Sequence, residues 1–373
     1  MNLMSSSTVY TNAYSQADAT LTAAGCYFTG LLPLQHGIFD YKVKPWDLRI
    51  KNISPQITTI SEMLKSQGFF THAYAFQPRF TPRYGWYRGF DNYKYSMYSF
   101  KAASFPSRFA INFLDESISQ KAFLFMHWDG LHDNYWISQP SGKMILKNNY
   151  NADYPISKDS LYAERLRYID TELGILINYL KSSNQWDESL VILTSDHGYW
   201  GALWKKHRDF ALYEDRVRVP LMIKWPKSKG VPAGEVSTPT NATVGSLLDM
   251  LDAIDVSLPA YQKMLPQFDS KIKDMAICET VMQPERDDYA LALVSDKYKY
   301  FFRCKINWDN FSMQKFLYHK LFMKIDGDFD ETQDFSTIHN QEAEKFKNLA
   351  MEIVSANLDF LSKHQPINLK DLK

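Results

Sequence analysis

Eight consecutive residues constrain this chain most: Val191, Ile192, Leu193 and Thr194, followed by Ser195, Asp196, His197 and Gly198. An apolar, β-branched run that ends abruptly in Ser-Asp-His-Gly predicts a buried strand. It delivers a carboxylate and an imidazole to the loop at its carboxyl end, where open α/β sheets keep their chemistry. One oxygen and one nitrogen donor side by side suit a divalent metal, and zinc, manganese, calcium and magnesium accept that pair to different degrees. Gly198 is expected to let the backbone turn sharply away without covering the site. An Asp-His-Gly turn with no ligand role is the competing reading of these residues alone, because short motifs also arise by chance.

The residues downstream of Gly198 decide between the two readings. Lys205, Lys206 and His207 come next, then Leu212-Tyr213-Glu214-Asp215, then a second apolar strand running from Val217 through Pro220 and Ile223 to Pro226. This succession resembles the sulfatase family of the alkaline phosphatase superfamily, in which an SDHG strand end is followed by Lys or His, then LYEE, then RVPLIIKWP. The resemblance implies an α/β fold: a three-layer α/β/α sandwich on a mostly parallel sheet, with a smaller C-terminal α+β part. It implies hydrolysis or transfer of a sulfate or phosphate ester, with a divalent metal (calcium, zinc, manganese or magnesium) held by Asp196 and His197. Lys206 and His207 stand where the family places a Lys or His to hold the ester's anion; without the resemblance, a lysine pair on a loop is a solvated pair.

A nucleophile is sought nearer the amino end. A short extended piece from Thr8, a polar turn and a small-residue helix closing at Gly30 would put Thr20 at a helix amino end, where backbone N–H groups favour an anion. From the residues alone, Thr20 serves equally as a helix cap. The stretch Tyr10-Thr11-Asn12-Ala13-Tyr14-Ser15-Gln16, followed by Thr29-Gly30-Leu31-Leu32-Pro33 and His36-Gly37, resembles the family's FTNAYAQ and LTGLYPxxHG. The family's nucleophile then falls on Thr20, which would also ligate the metal. Formylglycine sulfatases carry Cys or Ser followed by x-Pro-x-Arg, whereas this chain reads Thr20-Leu21-Thr22-Ala23-Ala24, and Cys26 is out of register. No formylglycine is expected. A threonine here resembles the phosphodiesterase, phosphatase and phosphoethanolamine-transferase branches, where a metal-activated hydroxyl attacks phosphorus. Family members also carry an Asp-bearing strand some tens of residues before the nucleophile, and this sequence reads as lacking it, by truncation or by degradation of the site.

A further strand is expected over Ala122-Phe123-Leu124-Phe125-Met126-His127-Trp128, delivering Asp129 and His132 just past its end, on the same rim as Asp196. Strand alternation makes His127 the weaker candidate. The segment resembles the family's FLFxxxxDxHxPY, which makes His132 a substrate or second-metal contact and Asp129 a candidate ligand. His72 alternates with aromatic residues and reads as a packed strand residue. Residues 78 to 100, rich in Tyr, Arg, Gly and Pro, read as an ordered surface loop beside the pocket.

The scaffold is legible in the periodicities. Ile57, Ile60, Met63 and Leu64 before Gly68 predict a short helix. Leu166, Ile169, Leu173, Leu176, Ile177 and Leu180 share one face of a long helix over 158 to 182, expected as core scaffold. Leu247, Leu248, Leu251 and Ile254 mark another helix. The remainder predicts strands over 275 to 281, 290 to 295 and 297 to 302, an acidic loop over 328 to 340, and a closing helix marked by Phe346, Leu349, Ile353, Leu358 and Leu361. These elements divide the chain into a catalytic domain over 8 to 260 and a smaller C-terminal part over 261 to 373.

Composition excludes several other classes. The chain has 373 residues, 45% hydrophobic and 15% aromatic, enough for a large core. Lysine plus arginine equals aspartate plus glutamate at 42 each, so no basic field points to nucleic acid. Cys26, Cys278 and Cys304 are widely spaced and suggest neither a disulfide framework nor a cysteine zinc site. No apolar run approaches the ~20 residues of a membrane span, and no signal peptide is evident, so the chain as written reads as soluble and cytoplasmic. The expected partner is a small anionic ester, on a glycan or lipid head group. The alternative is a catalytically inactive sulfatase fold with a binding or scaffold role, suggested by the missing aspartates.

Overall fold

A computed structural model describes residues 3–39, 51–75, 77–95, 106–128, 131, 137–138, 144–145, 158–198, 212–243, 251–252, 254–256, 259, 269–283, 288–324 and 331–368. The Val191–Thr194 strand forms where the β-branched run predicts it, but it is half-buried along its whole length rather than buried, because among the described residues it has a strand neighbour on one side only. It lies at the end of a four-stranded sheet ordered Gly234–Val236, Thr8–Tyr10, Leu221–Lys224, Val191–Thr194. Thr8–Tyr10 runs parallel to Gly234–Val236 and antiparallel to Leu221–Lys224, which pairs antiparallel with Val191–Thr194 through Leu221 opposite Thr194. The fully parallel pairing is in a second sheet, where Phe70–Ala75 sits between Asn92–Tyr95 and Ala122–His127. In that register Ala75 lies opposite His127, so the last residue of the central strand and the last of its neighbour reach the same rim.

Helices cover these strands. Thr59 accepts from the Glu62 amide while Glu62 reaches back to the Thr59 amide, a capping box that opens the expected short helix, Ile60–Ser66. The segment after Phe70–Ala75 is more buried than its composition suggests: Phe80 and Trp86 are fully enclosed and pack with Phe28 of the Thr20–Thr29 helix. Arg88 is a structural residue there, paired with Glu62 at 2.9 Å and donating to the Ser54 and Ile57 carbonyls. His72 is packed as expected, stacked on Tyr74 and edge-on to Phe113, with neither ring nitrogen hydrogen-bonded.

The long helix, Lys158–Ser182, follows its expected bounds but not its expected face. Ile177 and Leu180 are buried, whereas Leu166 is 42% exposed. Ahead of Ile177 the buried residues among those described are Arg165 and Glu172: Glu172 accepts from the amide and hydroxyl of Ser107 on the Pro106–Glu116 helix. A hydrophobic stripe on a polar helix therefore marked its scaffold role only over the last two turns. Of the helix expected around Leu247, residues 244–250 lie outside the described residues, as does the boundary at 260; its far end is described, with Leu251 helical and buried.

Four antiparallel strands in sequence order, Ala276–Gln283, Asp288–Val294, Tyr298–Asn307 and Ser312–Met323, form the C-terminal sheet. The last was not expected, because Ser312-Met313-Gln314-Lys315 and Tyr318-His319-Lys320 lack a clean apolar alternation. The Asn340–Lys363 helix buries Phe346, Ile353, Val354, Leu358 and Leu361 against this sheet. Glu279 lies wholly inside the joint, accepting from the Leu34 amide at 2.7 Å and the Asn357 side chain at 2.8 Å. Its own amide donates to the Gln16 carbonyl, four residues before Thr20.

Burial pushes the Glu279 carboxyl up to about 7, against the hydrogen bonds that favour its charge. A carboxyl raised in the folded state holds a proton there that the unfolded chain has released. Its stabilising contribution is complete below the unfolded value near 4.5 and is lost as pH rises toward 7. Glu279→Gln keeps the shape without the titration. It is expected to shrink the loss of unfolding free energy between pH 5 and pH 8 by about 2 to 3 kcal/mol. Urea denaturation of both proteins at the two pH values measures this; an unchanged pH dependence would refute it.

Candidate active site

The Thr20–Thr29 helix opens after Ala19, which is extended and makes no side-chain cap. Thr20 is thus the first helical residue rather than the cap, and its hydroxyl is free for other work. It donates to Asp196 Oδ2 at 2.6 Å and lies 3.2 Å from His197 Nε2. His197 Nε2 is 3.4 Å from Asp196 Oδ2, so the three atoms form a triangle. Residues 176 and 177 positions apart in sequence meet there. Ser15 reinforces the junction by donating to the Asp196 carbonyl oxygen.

The imidazole of His197 has a fixed role in this arrangement. Its Nδ1 is 2.8 Å from the Gly198 carbonyl oxygen, which can only accept, so Nδ1 carries the proton and Nε2 presents a lone pair to Thr20. Burial, with the Arg216 charge adding to it and Asp196 opposing, holds the imidazole below its usual range. Burial opposes ionisation of Asp196, yet the positive charge of His197 once protonated in acid, with the contacts from His127 and the Thr20 hydroxyl, holds its carboxyl well below the usual carboxylate range. At neutral pH the site thus holds one carboxylate and a neutral His197.

Two further residues belong here. His127 Nε2 is 3.8 Å from Asp196 Oδ2, with its ring against Phe80. Gln77 Nε2 points to the Thr20 hydroxyl at 3.4 Å, two residues past the Phe70–Ala75 strand. Alternation demoted His127, but the rule governs strand interiors; a terminal strand residue can reach the rim. Gln77 carried no motif, and its position just beyond a parallel strand's carboxyl end was the only available signal. Asp129, His132, Lys206 and His207 lie outside the described residues.

The donor set fits a divalent cation in part. Separations of 2.6, 3.2 and 3.4 Å among Thr20 Oγ1, Asp196 Oδ2 and His197 Nε2 approach the roughly 3.3 Å edge of a tetrahedral shell with bonds of ~2.0–2.1 Å. Among the described residues no group of three or more His, Cys, Asp and Glu side chains is arranged to hold a metal. The three atoms thus offer one face of a coordination shell.

Gly198 completes the local design, though not as the sequence suggested. Among the described glycines it is not one of those with positive φ. Glycine is needed for space: a Cβ there would overlap the Asp215 carbonyl oxygen.

A Sulfatase family model matches residues 2–254. The chain belongs to the Sulfatase family. Members of this family generally use a divalent metal. Over 99 residues the chain is 28% identical to an N-acetylglucosamine-6-O-sulfatase of Bacteroides thetaiotaomicron, covering 26% of this chain and 17% of that protein. It is 28% identical over 150 residues to the inner membrane protein YejM of Salmonella typhimurium, covering 39% of this chain and 24% of that one. The matched stretches thus span a quarter or less of those relatives. Among solved structures, Ps i-CgsB in complex with k-i-k-neocarrahexaose aligns with a TM-score of 0.66 at 20% identity, over 95% of this chain and 86% of that chain. The putative sulfatase yidJ from Bacteroides fragilis aligns at 0.66 and 16% identity, over 96% and 90%. At these identities the likeness establishes the fold, an α/β sulfatase fold. No described helix is long and apolar enough to cross a membrane.

Gly198→Ala should push the His197–Gly198 peptide away from Asp215. A cost of roughly 1–3 kcal/mol, as for overpacked interiors, is expected. Thermal unfolding measures it, and an unchanged melting temperature would show that the peptide is not held tightly.

Proposed function

We propose that this chain hydrolyses or transfers a sulfate or phosphate ester with Thr20 as nucleophile, and that Asp196 and His197 hold a divalent cation together with the Thr20 oxygen. The observation that carries the reading is the convergence of Thr20 Oγ1, Asp196 Oδ2 and His197 Nε2 within 3.4 Å of one another. A lone threonine hydroxyl is a weak nucleophile, and a bound divalent cation would supply the missing chemistry by lowering the pKa of a hydroxyl it coordinates.

The remaining roles fall to the chain itself. Asp196 draws the Thr20 proton to one side, which leaves oxygen lone pairs directed away from the helix. Gln77 donates to the same oxygen and fixes its second direction. Attack forms a bond from Oγ to phosphorus or sulfur as the bond to the departing oxygen breaks; the hydroxyl proton is lost to solvent and the leaving oxygen takes one up. Water or a second alcohol then cleaves the threonine ester and regenerates the hydroxyl. Position at the first turn of the Thr20–Thr29 helix adds backbone N–H groups and the helix dipole beside the anionic centre. Lys206, His207 and His132 are proposed as anion or leaving-group contacts, and Asp129 as a further ligand.

Threonine without x-Pro-x-Arg favours a phosphoryl ester over the formylglycine route, while the carbohydrate named with Ps i-CgsB and the N-acetylglucosamine-6-O-sulfatase relative favour an ester carried on a glycan.

Thr20→Ala is expected to lower kcat/KM by roughly 10³-fold or more, with Thr20→Ser recovering most of the loss. Turnover of bis-(p-nitrophenyl) phosphate should exceed that of p-nitrophenyl sulfate, and mass spectrometry of the Thr20 peptide should show unmodified threonine. Full activity in Thr20→Ala would sink the reading; faster sulfate turnover would reverse the phosphoryl preference. Even with Asp129 added to the three donors, two carboxylates fall short of the six or more oxygens that hard divalent cations take, and calorimetric titration with zinc, manganese, calcium and magnesium should show binding weaker than about micromolar. Tight binding abolished by Asp196→Ala would show that other residues complete the shell.

A further inference from the structure

Arg216 holds the peptide beside the His197 ring at two points. Its Nη1 donates to the Gly198 carbonyl oxygen at 2.8 Å, and its own carbonyl oxygen accepts from the Gly198 amide at 2.6 Å. One residue therefore fixes both polar groups of Gly198. The same Gly198 carbonyl oxygen accepts from His197 Nδ1. A carbonyl free to rotate would allow the ring to turn over or to carry its proton on Nε2, whereas a carbonyl fixed by a guanidinium stays in place as the Nδ1–H acceptor.

Arg216 can act as an anchor because it is itself anchored. Only 6% of its surface is exposed, and it sits in the Glu214–Val217 helix. Its amide donates to the Tyr213 carbonyl, and the neighbouring Val217 carbonyl accepts from the Ser15 amide, beside the Ser15 hydroxyl that holds Asp196. At the start of the same helix, Glu214 pairs with the wholly buried Lys299 at 3.0 Å.

We infer that Arg216 is a positioning residue: by clamping the Gly198 peptide it fixes His197 as the Nδ1–H tautomer, with Nε2 directed at Thr20 and at the proposed cation. The consequence for catalysis rests on the reaction proposed above; the tautomer does not. Carbonyl partners of ligating histidines typically matter by about 10- to 100-fold in metal affinity.

The test uses the 373-residue protein labelled with ¹⁵N-histidine, metal-free, with the His197 signals assigned through His197→Gln. Long-range ¹H–¹⁵N correlation should show Nδ1–H in the parent protein. Arg216→Met should give mixed tautomers or a majority of Nε2–H, with zinc and manganese affinity about tenfold weaker by calorimetry and circular dichroism unchanged. Arg216→Lys, which keeps a donor able to reach the Gly198 oxygen, should recover at least half of either loss. Arg216→Gln, too short to reach, decides the matter by the same readouts where the methionine variant does not fold. An unchanged Nδ1–H tautomer with affinity within about twofold in these variants would overturn the assignment. A parent protein that binds neither metal and turns over neither ester would count against the proposed reaction alone, because the tautomer is read without metal.

Discussion

Lys299 carries its charge to a position with no solvent exposure, and the two halves of the described structure meet around it. Its Nζ lies 3.0 Å from Glu214 and 2.9 Å from Glu331, and Glu214 accepts in addition from the Tyr14 hydroxyl. The Glu331 carboxylate caps the cluster by accepting from the Glu214 amide. Desolvating an ammonium costs several kcal/mol, so the lysine is tolerable only with both partners in place. Glu214, and after it Glu331, outweigh burial and hold its pKa above the usual range, so the lysine stays charged, while burial pushes the Glu331 carboxyl itself up to about 7 and leaves Glu214 as the firmer partner. Removing one partner from such a cluster typically costs about 3–5 kcal/mol, well above the net value of the intact pair. The arrangement makes the C-terminal sheet a foundation: the strand carrying Lys299 fixes the Glu214–Val217 helix, Glu214 holds Tyr14, and the neighbours Arg216 and Ser15 each hold one side of the Asp196–Gly198 turn.

That foundation explains how a polar site with few charges keeps its shape. Thr20, Asp196 and His197 come from a helix start and a strand end distant in sequence, and no covalent link joins them. Ser15 binds the Asp196 carbonyl, Arg216 binds the Gly198 carbonyl, and the absence of a Cβ at Gly198 lets the Asp215 backbone close in. Each contact addresses the backbone of the turn, so the functional ends of Asp196 and His197 remain available. Preorganisation of this kind matters most where a site has little charge of its own to gather its ligands.

The same distinction accounts for what was legible in the sequence. The Val191–Thr194 strand, the Thr20 helix and the Asp196–His197 pair could be read because each combines a local periodicity with a motif that ends it. The closing Asn340–Lys363 helix was readable for the same reason: its apolar residues recur with helical spacing. The Ser312–Met323 strand was not, because it is the outer strand of its sheet and its first residues, Ser312, Gln314 and Lys315, are exposed, so polar side chains break the apolar alternation there. Leu166 misled in the opposite sense: it lies on a helical stripe that, ahead of Ile177, gives way to the buried polar residues Arg165 and Glu172. His127 and Gln77 were missed because their role depends on which strand ends adjoin the Thr20 helix, a property of topology rather than of local pattern.

Topology also separates what the family fixes from what this chain decides for itself. The frame brings a helix amino end to a Ser-Asp-His-Gly strand end and sets the Thr20 hydroxyl 2.6 Å from the Asp196 carboxylate. Under the proposed reaction the threonine limits the chemistry open to the site: a secondary hydroxyl attacks only as strongly as its surroundings lower its pKa, and it cannot be converted to an aldehyde hydrate. Arg216, in the Glu214–Val217 helix, adds the clamp that holds both polar groups of Gly198 beside that meeting point. A shared fold therefore carries the meeting point, while single positions beside it determine what is done there.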